Sequence, residues 1–111
     1  MVYYALFLHF IFDFILQSDW MALNKSKSFH ALTVHAAVYS LLGLWFVSHL
    51  GLLIFSFVIW LFLTHWCIDA VTSRITSWLW GQNRRHWFFV VIGFDQLLHT
   101  ALMLWWLDRA L

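Results

Sequence analysis

The stretch from Leu52 to Ala70, LLIFSFVIWLFLTHWCIDA, decides the fold. It contains no proline, glycine, lysine or arginine, and its apolar residues run on without the alternation of a half-buried strand. As a helix rising ~1.5 Å per residue it reaches across most of the ~30 Å hydrocarbon core of a bilayer. His65 and Asp69 stand in it four residues apart, and so on one helix face. Three further runs read the same way: Met1 to Gln17, Ala31 to Leu50 and Trp87 to Leu107. Of the 111 residues, 64% are hydrophobic and 10% charged, and mean hydropathy is +0.82. Soluble domains carry about 25% charged residues, and a chain this short has too little interior to hide so much apolar surface. The expectation is an all-α, integral membrane four-helix bundle in a single domain, residues 1–111, with spans at about 1–17, 31–50, 52–70 and 87–107. A transmembrane barrel would need alternating runs. The first run has no basic segment before it and no small-residue cleavage site after it, so it reads as a retained helix.

Two polar connections, Ser18 to His30 and the segment around Gly81 to Arg85, hold five of the six basic residues: Lys25, Lys27, Arg74 just before the second, Arg84 and Arg85. In a series of four spans these connections share a side. The positive-inside tendency makes that side cytoplasmic, giving a multi-pass protein of the inner (cytoplasmic) membrane with both termini non-cytoplasmic. Tyr3, Tyr4, Trp20, Trp45, Trp80, Trp87, Trp105 and Trp106 fall near span ends, as interfacial anchors do. The pattern H-x-x-(F/I)-D recurs at His9 to Asp13 and His65 to Asp69, which suggests two parallel-repeat helical hairpins. Net charge is +1, and nothing points to nucleic acid. The lone Cys67 excludes an internal disulfide and, within an apolar run, is expected to be buried. There is no glutamate, phosphate loop or Gly-x-Ser-x-Gly sequence, so P-loop and serine-nucleophile chemistry have no support.

Ionisable groups in a membrane span cost at least ~2.5 kcal/mol each on insertion scales and mark functional sites. Here they pair. His9 and Asp13, His65 and Asp69, and Asp95 and His99 are each spaced i,i+4, and the second span adds His35. Gln17, Ser73, Gln96 and Thr100 continue the same faces. Counted from the basic side, these groups fall in one layer, with His99 somewhat deeper. Imidazole and carboxylate together suit a divalent ion, zinc first, with manganese or iron as alternatives. The ligand set is then His9, Asp13, His35, His65, Asp69, Asp95 and His99. Two other readings use the same residues: a proton or metal-ion relay, and a network of His–Asp bonds that holds helices together. His30, His49 and His86 lie at span boundaries, and Thr33, Ala36, Ser40 and Gly43 form a small-residue stripe suited to close helix packing.

With these residues in view, the segment from Asp13 to Ser28, together with His35 after a basic loop, Thr64-His65 followed by Ile68-Asp69, and Asp95-Gln96-Leu97-Leu98-His99, resembles the small bacterial and phage membrane proteins grouped as domain of unknown function 3307. The resemblance spans nearly the whole chain. It supports the choice of site residues and implies no particular chemistry. The functional expectation is a metal-dependent hydrolase acting on a lipid-like ester or phosphoester at the cytoplasmic leaflet. Asp13 or Asp95 would serve as general base, with Asp19 and Lys25 at the mouth. The alternatives are a relay or small carrier, and a non-enzymatic, for example phage-encoded, modulator of a host membrane complex. Membrane lipids are the expected partners, with a homo-oligomer or a larger membrane-protein partner possible.

Overall fold

A computed structural model describes residues Met1–Leu111, all in helices, turns and short connections with no strand. Helix α1 (Val2–Phe10) runs into one π-helical turn (Ile11–Ile15), and a short α2 (Asp19–Asn24) follows. Helix α3 (Phe29–Ser40) continues through a 3-10 segment (Leu41–Phe46) into α4 (Val47–Leu50). Long helices α5 (Ile54–Gly81) and α6 (Arg85–Ala110) complete the chain. The breaks have local causes. Ser18 and Ser28 accept from the backbone N–H groups of Met21 and Ala31, capping α2 and α3. Gly51 takes φ of +56°, where a side chain would be strained, and the chain doubles back there. Asn83, at φ 59°, turns α5 into α6.

Helix α5 is the axis of the fold, packing along both α3 and α6, while α1 lies against α6. One end of the interior is apolar, built from Leu8, Phe12, Leu42, Phe46, Ile54, Phe57, Leu61, Met103 and Leu107. Towards the other end the buried positions become polar. On α5 the inward stripe reads Leu61, His65, Asp69, then Thr72 and Ser73; on the antiparallel α6 it reads Asp95, His99, Met103, Leu107. Much of the outside is apolar as well, with Tyr3, Leu52, Phe55, Phe89 and Leu97 among many exposed large side chains. Two helical stretches are long and apolar enough to cross a membrane: Phe29–Gly81, which contains the reversal at Gly51, and Arg85–Ala110.

The small-residue stripe does face α5. Ala36, Ser40 and Gly43 are buried, and Thr33, exposed, accepts a hydrogen bond from the Trp66 indole. Helix boundaries differ from the hydropathy runs. Helix α5 continues to Gly81, because helix formation depends on backbone bonding and not on apolarity, and α6 begins before Trp87. Cys67 is exposed on the outer face, since the inward stripe passes through His65 and Asp69. The two hairpins are also unlike each other. The first carries the π turn, the 3-10 segment and α2, and the second is two plain helices.

A Cβ on Gly43 would lie 3.0 Å from Val58 and 3.2 Å from both Leu61 and Phe57. Gly43→Leu should therefore force α3 off α5 and destabilise the fold by about 1–3 kcal/mol. Thermal unfolding in mild detergent, followed by tryptophan fluorescence, checks this; an unchanged midpoint would contradict the close approach.

Candidate metal centre

Four helical segments each deliver part of the polar cluster. Helix α5 contributes His65 and Asp69, α6 contributes Asp95 and His99, α3 contributes His35, and the π turn contributes Asp13. All six are buried, His35 and His65 completely. The π turn is a local device that hydropathy does not reveal. Its i→i+5 bond, Leu16 N–H to the Ile11 carbonyl at 2.9 Å, widens the turn around Asp13. His9 and Asp13 stay within 3.7 Å of each other but take different partners. Asp13 faces α3 and α5, and His9 faces Tyr39 and Gln96.

The tightest grouping is His35, His65, Asp13 and Asp69, with one ligand-type atom from each within 4.8 Å of the others. Five of the six separations are short. His35 Nε2 lies 3.1 Å from Asp13 Oδ1 and 3.3 Å from Asp69 Oδ2. His65 Nε2 lies 3.5 Å and 3.1 Å from the same two oxygens. The two Nε2 atoms are 2.9 Å apart. A tetrahedral zinc site with bonds of about 2.0–2.1 Å has ligand–ligand edges of about 3.3–3.4 Å, which these separations bracket.

A second grouping joins Asp13, Asp95 and His99. His99 Nε2 is 3.0 Å from Asp69 Oδ1 and 3.3 Å from Asp95 Oδ1. Asp69 therefore presents one oxygen to each side of the cluster. Asp13 does likewise, since its Oδ2 accepts from Gln96 at 3.2 Å.

An outer ring orients these groups. Gln96 Oε1 accepts from His9 Nε2–H at 2.6 Å, while its amide nitrogen donates to Asp13 and, at 3.0 Å, to Asp95 Oδ2. With the His9 proton on Nε2, the bare Nδ1 accepts from the Tyr39 hydroxyl at 2.7 Å. Both nitrogens of His9 are thus engaged, and it stands outside the two ligand groupings although its Nε2 is 3.7 Å from Asp13. Thr72 donates to Asp95 Oδ1 at 2.5 Å. Lys25 Nζ reaches Asp69 Oδ2 at 3.4 Å from the loop after α2. Tyr39 also stacks on His65 with centroids 4.0 Å apart. Asp19 begins α2 on the surface, and His30, His49 and His86 are exposed and outside the cluster.

Sequence reasoning did not single out Tyr39 or Thr72. Tyr39 follows His35 by four residues and Thr72 follows Asp69 by three, so helical spacing was the signal that would have found them.

A cleft of about 540 Å³ leads from the surface to Asp69 and Asp95. Lys25, Lys27, Ser73, Ser77, Trp80 and Phe88 are among its walls. Neither Asp13 nor any of the imidazoles lines it.

Fold and site together define a small all-helical protein organised around a buried His/Asp cluster. The chain belongs to the DUF3307 family, described as proteins of unknown function, whose model it matches over residues 1–109. No curated protein and no solved structure matches it.

Tyr39→Phe removes one buried hydrogen bond and keeps the ring stack. It should lower stability by about 1 kcal/mol, read as a fall in the detergent unfolding midpoint. A variant as stable as the parent would show that the hydroxyl does not hold His9.

Proposed function

We propose that the chain is a four-helix integral membrane protein of the inner membrane that holds one or two divalent ions, zinc first, and hydrolyses a lipid-like ester or phosphoester at the cytoplasmic leaflet. The observation that carries the metal reading is the near-tetrahedral set of His35, His65, Asp13 and Asp69. Without a cation this set conflicts with itself. With the two Nε2 atoms 2.9 Å apart at most one carries a hydrogen between them, and the bare one turns its lone pair on the carboxylate oxygens it also faces. One cation among them satisfies all four atoms.

Charge supports the same conclusion. Asp13, Asp69 and Asp95 are buried with Lys25 as the one lysine or arginine that reaches them, and a divalent ion offsets the remainder. Zinc, manganese and iron all accept this donor set. His99 and Asp95, with the far oxygens of Asp69 and Asp13, offer a second position. An ion held there would supply a nucleophile by acidifying water toward a pKa of about 7. Of the two carboxylates weighed as general base, Asp95 fits better, because it lines the cleft and is oriented by Thr72 and Gln96.

The membrane reading rests on the two long apolar helical stretches, the exposed apolar exterior and the basic loops gathered at the cleft end. A transmembrane relay would require polar groups leading on from the cluster in both directions. Beyond it lie Leu61, Met103, Leu107 and Phe57, which favours a site entered from one side.

Protein purified in mild detergent without chelators should contain roughly one to two equivalents of transition metal per chain by elemental analysis. His65→Ala and Asp69→Ala should lose it, Asp95→Ala should lose part of it, and His9→Ala should keep it. Stripping the metal should lower the unfolding midpoint of the parent and leave His65→Ala unmoved. A parent free of metal, or a His65→Ala variant fully loaded, would overturn the assignment.

A further inference from the structure

The cleft above the cluster carries its own chemistry. Its floor is Asp69 and Asp95, and its rim is the loop after α2, with Lys25, Ser26 and Lys27. On the α5 wall Thr72, Ser73 and Thr76 donate to Asp95 and to α5 carbonyls, which leaves the Ser77 hydroxyl free to donate, and the facing wall is apolar with Phe88 and Ile92 of α6. Trp80 and Phe88 pack together at the outer end, with ring centroids 4.9 Å apart. Gln17 also lines the cleft, and its side-chain oxygen is buried with no partner in the chain. That free end is an acceptor, so it suits a hydroxyl or a protonated oxygen of a ligand and not a charged one.

Once the carboxylates are neutralised by the cation proposed above, the charges left facing the cleft are Lys25 and Lys27. A site with two ammonium groups and a free hydroxyl on one side suits a compact, multiply charged oxyanion. The apolar wall beside it suits a hydrocarbon tail. We propose that the cleft seats the phosphate monoester headgroup of a membrane amphiphile, held by Lys25, Lys27 and the Ser77 hydroxyl, with its chain along Phe88 and Ile92. This deepens the hydrolase reading and rests on it. The phosphate sits over Asp69 and beside Asp95. In hydrolysis the water oxygen bonds to phosphorus as the phosphorus–oxygen bond to the amphiphile breaks. Asp95 takes one water proton and returns it to the departing ester oxygen, so the products are an alcohol and inorganic phosphate.

Isothermal titration calorimetry on the zinc-loaded full chain in dodecyl maltoside tests this with three probes: dihexanoyl phosphatidic acid, dihexanoyl phosphatidylcholine and inorganic phosphate. Phosphatidic acid should bind tightest, and Lys27→Glu should weaken it roughly tenfold or more with zinc content unchanged. Lys27 is exposed, so that variant leaves the interior intact, and Lys25→Ala should weaken binding in the same direction. Equal affinity for phosphatidylcholine, or a Lys27→Glu variant that binds as tightly as the parent, overturns the phosphate assignment. Equal affinity for inorganic phosphate assigns the cleft to the free ion and overturns the amphiphile. Zinc measured in the same samples separates the failures. A zinc-loaded parent that ignores phosphatidic acid sinks this inference alone, whereas a parent that takes up no zinc sinks the metal reading beneath it.

Discussion

Three carboxylates enclosed among apolar helices, with one ammonium in reach, set the terms for everything else in this molecule. Isolated buried ions cost several kcal/mol even after relaxation, so each acidic group must be matched by hydrogen bonds and by positive charge. The chain supplies much of the first requirement. Thr72, Gln96, Lys25 and the imidazoles of His35, His65 and His99 all converge on Asp13, Asp69 and Asp95. The second it draws from Lys25 and from whichever of these imidazoles are protonated. The division of the interior into an apolar end and a polar end follows from this demand. Polar groups concentrated at one height can satisfy one another, whereas the same groups spread along the bundle would each face hydrocarbon alone.

The cost of this arrangement falls on backbone regularity. Asp13 faces α3 and α5 from within a π turn at the end of α1, and α3 gives way to 3-10 geometry where Gly43 lets it press against α5. By contrast α5 and α6 stay regular, since a repeat of four residues already presents their polar side chains inward. Irregularity therefore gathers in the N-terminal half, and the C-terminal hairpin acts as the rigid frame on which the cluster is assembled.

Much of this was legible in the residues. Helical character followed from the lack of proline and the long apolar runs, and the convergence of His35, His65, Asp69, Asp95, His99 and Asp13 followed from i,i+4 spacing and similar depth. What escaped had physical reasons. The i,i+4 rule placed His9 with Asp13, and they do lie 3.7 Å apart, but it does not show that Tyr39 and Gln96 engage both nitrogens of His9. Cys67 looked buried because apolar surroundings in sequence were taken for an interior, yet in a chain this apolar the outside is apolar too. The resemblance between the His9–Asp13 and His65–Asp69 patterns did not extend to role. His65 joins the four-atom grouping, while His9 is tied to Tyr39 and Gln96.

Gln96 has a consequence for how the helices find their alignment. Greasy rods can slide along one another at little cost, because one methyl group packs about as well as the next. The amide of Gln96 has an accepting end that meets His9 and a donating end that meets Asp13 and Asp95, and the two ends cannot be exchanged. Slipping α6 by one turn, about 5.4 Å, would bring Ile92 or Thr100 to that place, and neither carries both functions. One side chain thereby acts as a detent: it gives two smooth surfaces a single axial stop.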